Sequence, residues 1–142
     1  MKPEPTGGVF ADPVDEGILD TTFFVDALRG DAGARGLVDR IVDNSFHGYC
    51  SPITVVELSV SPRFTPMEDS FFHGLFSRMT EVPFDTRAAR LTGLYLRPLP
   101  RDRAERLFRD AMIGCTATVS GLTCYTRNVR DISVFAASVR RY

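Results

Sequence analysis

Four carboxylates lie at positions that solvent exposure does not readily explain. They are Asp20 at the end of a short apolar segment, Glu57 inside the apolar run 53–60, Asp110 before a run of apolar and small residues, and Asp131 shortly after the apolar segment 122–126. A carboxylate in apolar surroundings is costly unless it is paired or binds a metal ion. Taken alone, each has a simpler explanation, because Asp20 and Asp110 could cap helices and Glu57 could face solvent.

Taken together, the four acids indicate a shared site. Carboxylates that converge repel one another, and a hard divalent cation with oxygen ligands relieves that repulsion. Such a cation activates water and neutralises charge on a phosphate, so no histidine is required as a base. His47 and His73 stand beside phenylalanines outside these segments and are typical of surface or helix-face positions.

The elements that would position these acids alternate between strand and helix. Short apolar segments predict strands over 17–20, 48–51, 81–84 and 122–126. Apolar spacing and capping residues predict helices over 22–28, 34–42, 65–79 and 85–95. This alternation predicts an α/β domain with a mostly parallel sheet, and in such sheets the ligand site lies outside the carboxyl ends of the strands.

The secondary structure of four other segments is less clearly indicated by the sequence. Residues 52–60 are rich in β-branched side chains, which favour a strand by propensity and leave helix the weaker choice. Residues 102–120 have a helical pattern, as a short and a longer piece that meet near Asp110, and Gly121 is a natural C-cap. We predict a polar loop over 127–131, and the segment 132–139 fits either a strand or a helix.

Length and composition are those of one globular domain. The 142 residues are 44% hydrophobic and 25% charged, which excludes a mainly disordered or collagen-like chain. No apolar run reaches the ~18 residues that a membrane span requires, and we see no secretory signal. Residues 1–15 contain three prolines and two glycines, so we predict a flexible tail there and a single domain over 16–142.

The cysteines and the net charge give only weak indications. Cys50, Cys115 and Cys124 lack CxxC spacing and indicate free thiols in a reducing compartment, so we expect a cytoplasmic protein. The net charge of −1 gives no sign of a nucleic-acid partner, although local fields can still attract one. Of 17 basic residues 16 are Arg, which suits phosphate binding but also follows from genome base composition.

Four segments that contain the acids carry a resemblance. They read ILDTT over 18–22, PITVVEL over 52–58, DAMIGCTA over 110–117 and GLTCYTRNVRD over 121–131, of which the last is the most specific. In this order they resemble the PIN-domain ribonucleases, and most of all the VapC-type toxins of bacterial toxin–antitoxin pairs. The resemblance covers about residues 17–135.

The resemblance implies a fold, an activity and a set of site residues. The fold is a three-layer α/β/α domain with a central, mostly parallel sheet, and the activity is endoribonucleolytic cleavage that depends on Mg²⁺ or Mn²⁺. Asp20, Glu57 and Asp110 match the family's core catalytic and metal-binding acids, and Asp131 matches its more variable fourth acid. Thr21 and Asn128 match supporting positions. An antitoxin partner and a homodimer are also implied, with no membrane association.

Arginines near the acids are candidate contacts to RNA. Five of them, at positions 97, 101, 103, 106 and 109, fall within thirteen residues, and two more flank the last acidic segment at 127 and 130. We expect Arg101, Arg103, Arg106 and Arg127 to contact RNA phosphates, which position a strand without reading its sequence. A solvated, salt-bridged face or a surface for an acidic antitoxin segment would explain the same pattern.

Two alternatives to a nuclease remain open. A catalytically silent PIN-like module would keep the acids and act by binding RNA or a partner, although the presence of all four acids argues against a degenerate site. Haloacid-dehalogenase-like phosphatases and response-regulator receivers also place an Asp at a strand end. The former require an Asp where this chain has Thr22, and the latter require a downstream Lys, whereas the only lysine is Lys2.

Overall fold

The computed structural model describes residues 14–142, so the predicted tail over 1–15 lies almost wholly outside the described residues. Within 14–142 the chain forms five strands, β1 Asp15–Leu19, β2 Phe46–Cys50, β3 Thr80–Glu81, β4 Cys124–Tyr125 and β5 Val139–Arg140. The same range contains seven helices, α1 Thr21–Leu28, α2 Ala32–Val42, α3 Pro52–Val60, α4 Pro66–Phe76, α5 Thr86–Leu96, α6 Arg101–Ser120 and α7 Val129–Ile132. None of the helices in this part of the chain combines the length and apolarity needed to cross a bilayer.

The five strands form one sheet in the order β3-β2-β1-β4-β5, and all neighbouring pairs are parallel. The central strand β1 pairs Ile18 with Tyr49 on one side and with Cys124 on the other. The chain builds outward from β1 through β2 and β3, then returns to the opposite side of β1 for β4 and β5. The switch point therefore lies between β1 and β4, where α/β sheets bind ligands at the carboxyl ends of the strands.

Successive residues of β1 point to opposite faces of the sheet and create two apolar layers. Leu19 packs into a cluster with α1, α2 and α4 that contains Phe23, Phe24 and Phe72. Ile18 packs on the other face with α6 and α7, against Ile113 and Ile132. Because side chains alternate along a strand, a strand buried on both faces needs helices on both sides. The predicted three-layer α/β/α fold with a parallel sheet is confirmed.

Most helix boundaries follow from local capping chemistry, as the sequence predicts. Thr65 and Glu68 form a reciprocal capping box at the start of α4, and the Asp85 side chain accepts from the Ala88 N–H at the start of α5. Gly121 ends α6 with φ +67°, a left-handed conformation that favours glycine.

Three segments differ from the sequence-based expectation. Residues 52–60 form a helix instead of the strand that propensity favours, because Ser51 caps it and Pro52 occupies its first turn. The two predicted pieces around Asp110 are one continuous helix, α6, since nothing in the segment breaks it. The predicted loop 127–131 contains the start of α7, which places Asp131 in a helical turn.

Candidate active site

Asp20 lies directly after the central strand β1 and is also the N-cap of α1. Its Oδ1 accepts hydrogen bonds from Thr22 Oγ1 at 2.6 Å and from the Phe23 backbone N–H at 3.4 Å, and its Oδ2 accepts from Thr126 Oγ1 at 2.6 Å. The residue is only 2% exposed. Burial raises the pKa of this carboxyl, and the hydroxyl donors partly offset that rise. The side chain is thus fixed in orientation by the first turn of α1 and by the residue that follows β4, on the two sides of the switch point.

Glu57 reaches the same region from α3. Its Oε1 accepts a hydrogen bond from Thr21 Oγ1 at 2.9 Å, and its Oε2 lies 3.6 Å from Arg109 Nη1. The Thr21 hydroxyl also lies 3.1 Å from Thr54 Oγ1, on the preceding turn of α3. The ion pair is weak, about 0–1 kcal/mol, because the Arg109 side chain is 72% exposed. Only the helical conformation of 52–60 lets Thr54 and Glu57, three residues apart, face α1 together.

Asp110 lies in the middle of α6 and is half-buried. Its pKa is raised to about 6, first by burial and then by the negative charges of Asp20, Asp131 and Glu57, with Arg109 acting in the opposite direction. No hydrogen bond contributes to this shift. The carboxyl is therefore poorly compensated, and a bound cation would stabilise its charged form.

One cavity of about 270 Å³ at the carboxyl end of the sheet brings these groups together. Its lining includes three predicted acids and three further predicted residues, namely Asp20, Glu57, Asp110, Thr21, Asn128 and Arg127. Asp131 does not line this cavity, and instead lines the neighbouring groove. Its charge still raises the pKa of Asp110, so it belongs to the same electrostatic environment.

The donor set fits a hard divalent cation by its chemistry, since carboxylate and hydroxyl oxygens are the ligands that Mg²⁺ and Mn²⁺ accept. In the conformation of residues 14–142, however, no three His, Cys, Asp or Glu side chains are placed to hold an ion together. Glu57 is held by Thr21 and Arg109, and mutual repulsion separates uncompensated carboxylates. A cation shared by these acids therefore requires their carboxylates to move closer together than they lie in this conformation.

A basic groove of about 1030 Å³ adjoins the acidic cavity. Five arginines line it with Asn128, Val129 and Asp131, and they are Arg103, Arg106, Arg127, Arg130 and Arg141. Arg127 lines both the groove and the acidic cavity, so it marks their junction. Arg101 does not line this groove, and its Nε lies 3.1 Å from Glu105 Oε1 on the exposed face of α6.

Several residues of the site were not identified from the sequence. Thr22 and Thr126 hold Asp20, and a hydroxyl residue within three positions of the carboxyl end of a strand is a signal that could have identified them. Arg29 and Arg63 line the acidic cavity, and Arg141 lines the groove. These arginines come from a helix end, a loop and the C-terminal segment, and no local pattern connects them.

Comparisons with known proteins agree with the fold. The family model of the PIN domain matches residues 17–136, so the chain belongs to the PIN domain family, whose members are nucleases. No curated protein matches the sequence significantly.

Solved structures with the same fold come from toxin–antitoxin complexes. A chain of the DNA-bound VapBC complex from Salmonella typhimurium has a TM-score of 0.69 and 22% identity, over 91% of this chain and 98% of that chain. A chain of VapBC2 from Rickettsia felis, bound to a promoter DNA fragment, has a TM-score of 0.66 and 18% identity, over 89% and 98%. A chain of FitAcB from Neisseria gonorrhoeae has a TM-score of 0.58 and 22% identity, over 86% and 94%. At these identities the likeness concerns the fold.

Proposed function

We propose that this protein is an endoribonuclease dependent on Mg²⁺ or Mn²⁺, and that it is the toxin of a toxin–antitoxin pair. The observation that carries the proposal is the convergence of Asp20, Glu57 and Asp110 in one cavity of a PIN domain, at the switch point of its sheet. A neighbouring groove lined by five arginines supports a polyanionic substrate.

The acids have distinct tasks in this proposal. Asp20, Glu57 and Asp110 supply oxygen ligands to the cation, and Asp131 adds negative charge from the groove side. A bound divalent ion supplies activation of water and neutralisation of charge on the phosphoryl and leaving oxygens. Thr22 and Thr126 keep the Asp20 carboxylate in one orientation, and Thr21 orients Glu57. Asn128 lines the same cavity as a neutral polar neighbour.

The arginines bind the RNA backbone. A strand that follows the groove meets Arg103 and Arg106 on α6, then Arg127 at the entrance to the acidic cavity. Guanidinium groups contact phosphates in planar pairs of hydrogen bonds, which fix the register of the strand. Arg101 is engaged with Glu105 and serves as a matched control.

The direct test is cleavage of a labelled RNA by the purified protein. Activity with Mn²⁺ or Mg²⁺ should be lost in EDTA and return when the metal is restored. Asp20→Asn and Asp110→Asn should each reduce kcat by at least ~100-fold, as expected when one of few ligands to a catalytic ion is lost. Asp39→Asn, on the exposed face of α2, should cleave at the normal rate. Cleavage that persists in EDTA would refute the mechanism.

Substrate binding is tested separately, in EDTA so that no cleavage occurs. Arg103→Ala and Arg106→Ala should weaken RNA binding and each reduce the salt slope by about one. Arg101→Ala should change neither quantity. An equal effect of all three variants would show that general charge attraction, and not the groove, accounts for the binding.

The partners belong to the same proposal. We expect an antitoxin, since the structural neighbours include VapBC and FitAB complexes. We also expect a homodimer in the cytoplasm. Exposed Val56, Val60 and Phe108 on α3 and α6 line one apolar groove, which gives a second copy a contact surface. Phe108→Arg should shift a dimer to a monomer in light scattering, and Met67→Arg, at a more exposed position on α4, should not.

A catalytically silent binding module is the competing function. It predicts RNA or partner binding that needs no divalent ion, together with no cleavage of any RNA. The absence of activity in several RNAs, with unimpaired binding in Asp20→Asn and Asp110→Asn, would favour it.

A further inference from the structure

Tyr142 lies one hydrogen bond from the acidic site, although it follows the last strand. Its hydroxyl oxygen is 2.5 Å from Asp26 Oδ2 and 3.1 Å from Thr22 Oγ1. The Thr22 hydroxyl donates its proton to Asp20 Oδ1, so its oxygen can only accept from Tyr142. The single phenolic proton of Tyr142 is therefore shared between the shorter bond to Asp26 and the longer bond to Thr22. A residue far along the chain thereby joins the hydrogen-bond network of Asp20.

Asp26 carries a charge in a place where solvent cannot compensate it. Its side chain is 8% exposed, and its two oxygens have separate partners. Oδ1 accepts from Arg127 Nη1 at 3.1 Å, and Oδ2 accepts from the Tyr142 hydroxyl. A buried carboxylate is stable only when it is paired and hydrogen-bonded. The Tyr142 hydrogen bond therefore helps to keep Asp26 in the position from which it binds Arg127.

The Arg127 guanidinium is the functional end of this network. Arg127 is 47% exposed and lines both the acidic cavity and the basic groove. Its Asp26 contact uses one terminal nitrogen, and a guanidinium has further N–H donors in fixed directions. An anchored guanidinium at the junction is pre-oriented for a phosphate, because it loses less side-chain entropy on binding.

Tyr142 is itself held in place by the fold. Its ring meets the buried Phe23 ring edge-on, with centroids 5.7 Å apart. Strand β5 keeps the preceding segment beside β4, where the Thr126 N–H donates to the Arg140 carbonyl at 2.9 Å. The Tyr142 backbone also packs on α2 so closely that a Cβ added to Gly33 would lie 2.7 Å from its carbonyl oxygen.

We propose that Asp26 and Tyr142 are positioning residues that hold the Arg127 guanidinium at the junction of cavity and groove, where it binds a backbone phosphate of the RNA. Neither residue touches the substrate, and both act through Arg127. This inference rests on the proposed function, because it concerns the substrate of that site.

The test is a double-mutant cycle measured as RNA affinity in EDTA by fluorescence anisotropy. Tyr142→Phe removes one oxygen and keeps the ring against Phe23, so it should weaken binding by roughly fivefold, the loss expected from one less well-oriented charge-assisted contact. Arg127→Ala should weaken it by roughly tenfold or more. Adding Tyr142→Phe to Arg127→Ala should cause no further loss, because the tyrosine then has nothing left to position.

Two further measurements separate positioning from stability. With Mn²⁺, Tyr142→Phe should raise KM for RNA and change kcat by less than about twofold, a split that a general loss of structure does not produce. Tyr95→Phe, which removes an exposed phenol on α5, is the matched control and should leave both constants unchanged.

The possible outcomes are distinct. Normal RNA affinity in Tyr142→Phe, or an additive loss in the double variant, would overturn the inference. A wild-type protein that binds no RNA would refute the proposed function instead. If Tyr142→Phe also lowers the melting temperature, the same cycle is measured with Asp26→Asn in its place. Asp26→Asn too should cause no further loss of RNA affinity in the Arg127→Ala background.

Discussion

Asp110 offers the sharpest test of the site, because its charge is costly in the metal-free protein. The carboxyl lies half-buried in α6, and its pKa is raised to about 6 by burial and by Asp20, Asp131 and Glu57. Asp110→Asn removes the charge and retains the shape of the side chain. We therefore expect a variant that has lost its activity and gained stability.

The magnitude follows from the pKa shift. Moving from 3.8 in the unfolded chain to about 6 in the fold is roughly 2 units, or at most about 3 kcal/mol at ~1.4 kcal/mol per unit. Partial solvent access and coupling among the acids reduce this value, so we expect a gain of about 1–2 kcal/mol in the free energy of unfolding at pH 7.5. This gain in stability should be observed in a buffer of low salt concentration that contains EDTA.

The direction of the pH dependence follows from the sign of the shift. The folded state holds this proton more tightly than the unfolded chain does. Protonated Asp110 therefore makes its full contribution to the free energy of unfolding below about pH 4. This contribution is lost as the pH rises through about 6. The advantage of Asp110→Asn should accordingly be smaller at pH 5 than at pH 7.5.

Urea unfolding followed by circular dichroism measures these differences, with Asp39→Asn as the control. Adding Mn²⁺ should reverse the order, because an ion at 100 times its Kd stabilises the wild-type fold by about 2.7 kcal/mol and should stabilise the variant far less. An Asp110→Asn variant that is less stable than wild type at pH 7.5 in EDTA would refute the reasoning, since it would mean that the charge makes favourable contacts.

Three further substitutions test how the site and its supporting helices are built. Thr126→Val removes the 2.6 Å hydrogen bond to Asp20 and leaves the Asn128 N–H without its acceptor, so we expect a loss of about 1–3 kcal/mol in chemical denaturation and weaker Mn²⁺ binding in calorimetry. A normal Mn²⁺ affinity would argue against an orienting role for this hydroxyl. Gly114→Ala places a Cβ 2.7 Å from Phe135 Cβ and should cost about 1–3 kcal/mol. In contrast, Gly93→Ala meets open space in α5 and should stabilise by about 0.5–1 kcal/mol, so equal melting temperatures for the two glycine variants would contradict the close packing of Gly114 on Phe135.

Features that depend on neighbouring residues in the chain could be predicted from the sequence. The caps at Thr65 and Asp85 and the stop at Gly121 each involve atoms within a few residues, so their chemistry is visible in the sequence. The alternation of these helices with apolar segments was enough to predict a parallel sheet. The order of four short motifs was enough to indicate the PIN family.

The sequence did not predict the structure of segments in which local propensity and tertiary packing favour different conformations. The β-branched residues of 52–60 favour a strand by propensity, yet the segment is a helix that buries Thr54 and Leu58. Propensity differences amount to about 1 kcal/mol or less per residue, and the burial of one such face outweighs them. Local pattern was also insufficient near Asp110, where the sequence predicted two helical pieces and the structure has one continuous helix.

The sequence by itself determined the fold class and the direction of the strands and indicated four candidate acids, because these depend on residue type, periodicity and short-range capping. Only the tertiary structure decided which groups meet. It joined Thr126 to Asp20, separated Asp131 into the groove, and brought Asp26 and Tyr142 to Arg127. The physical reason is that these contacts span up to 116 positions of the chain, and strand order and helix packing alone set such distances.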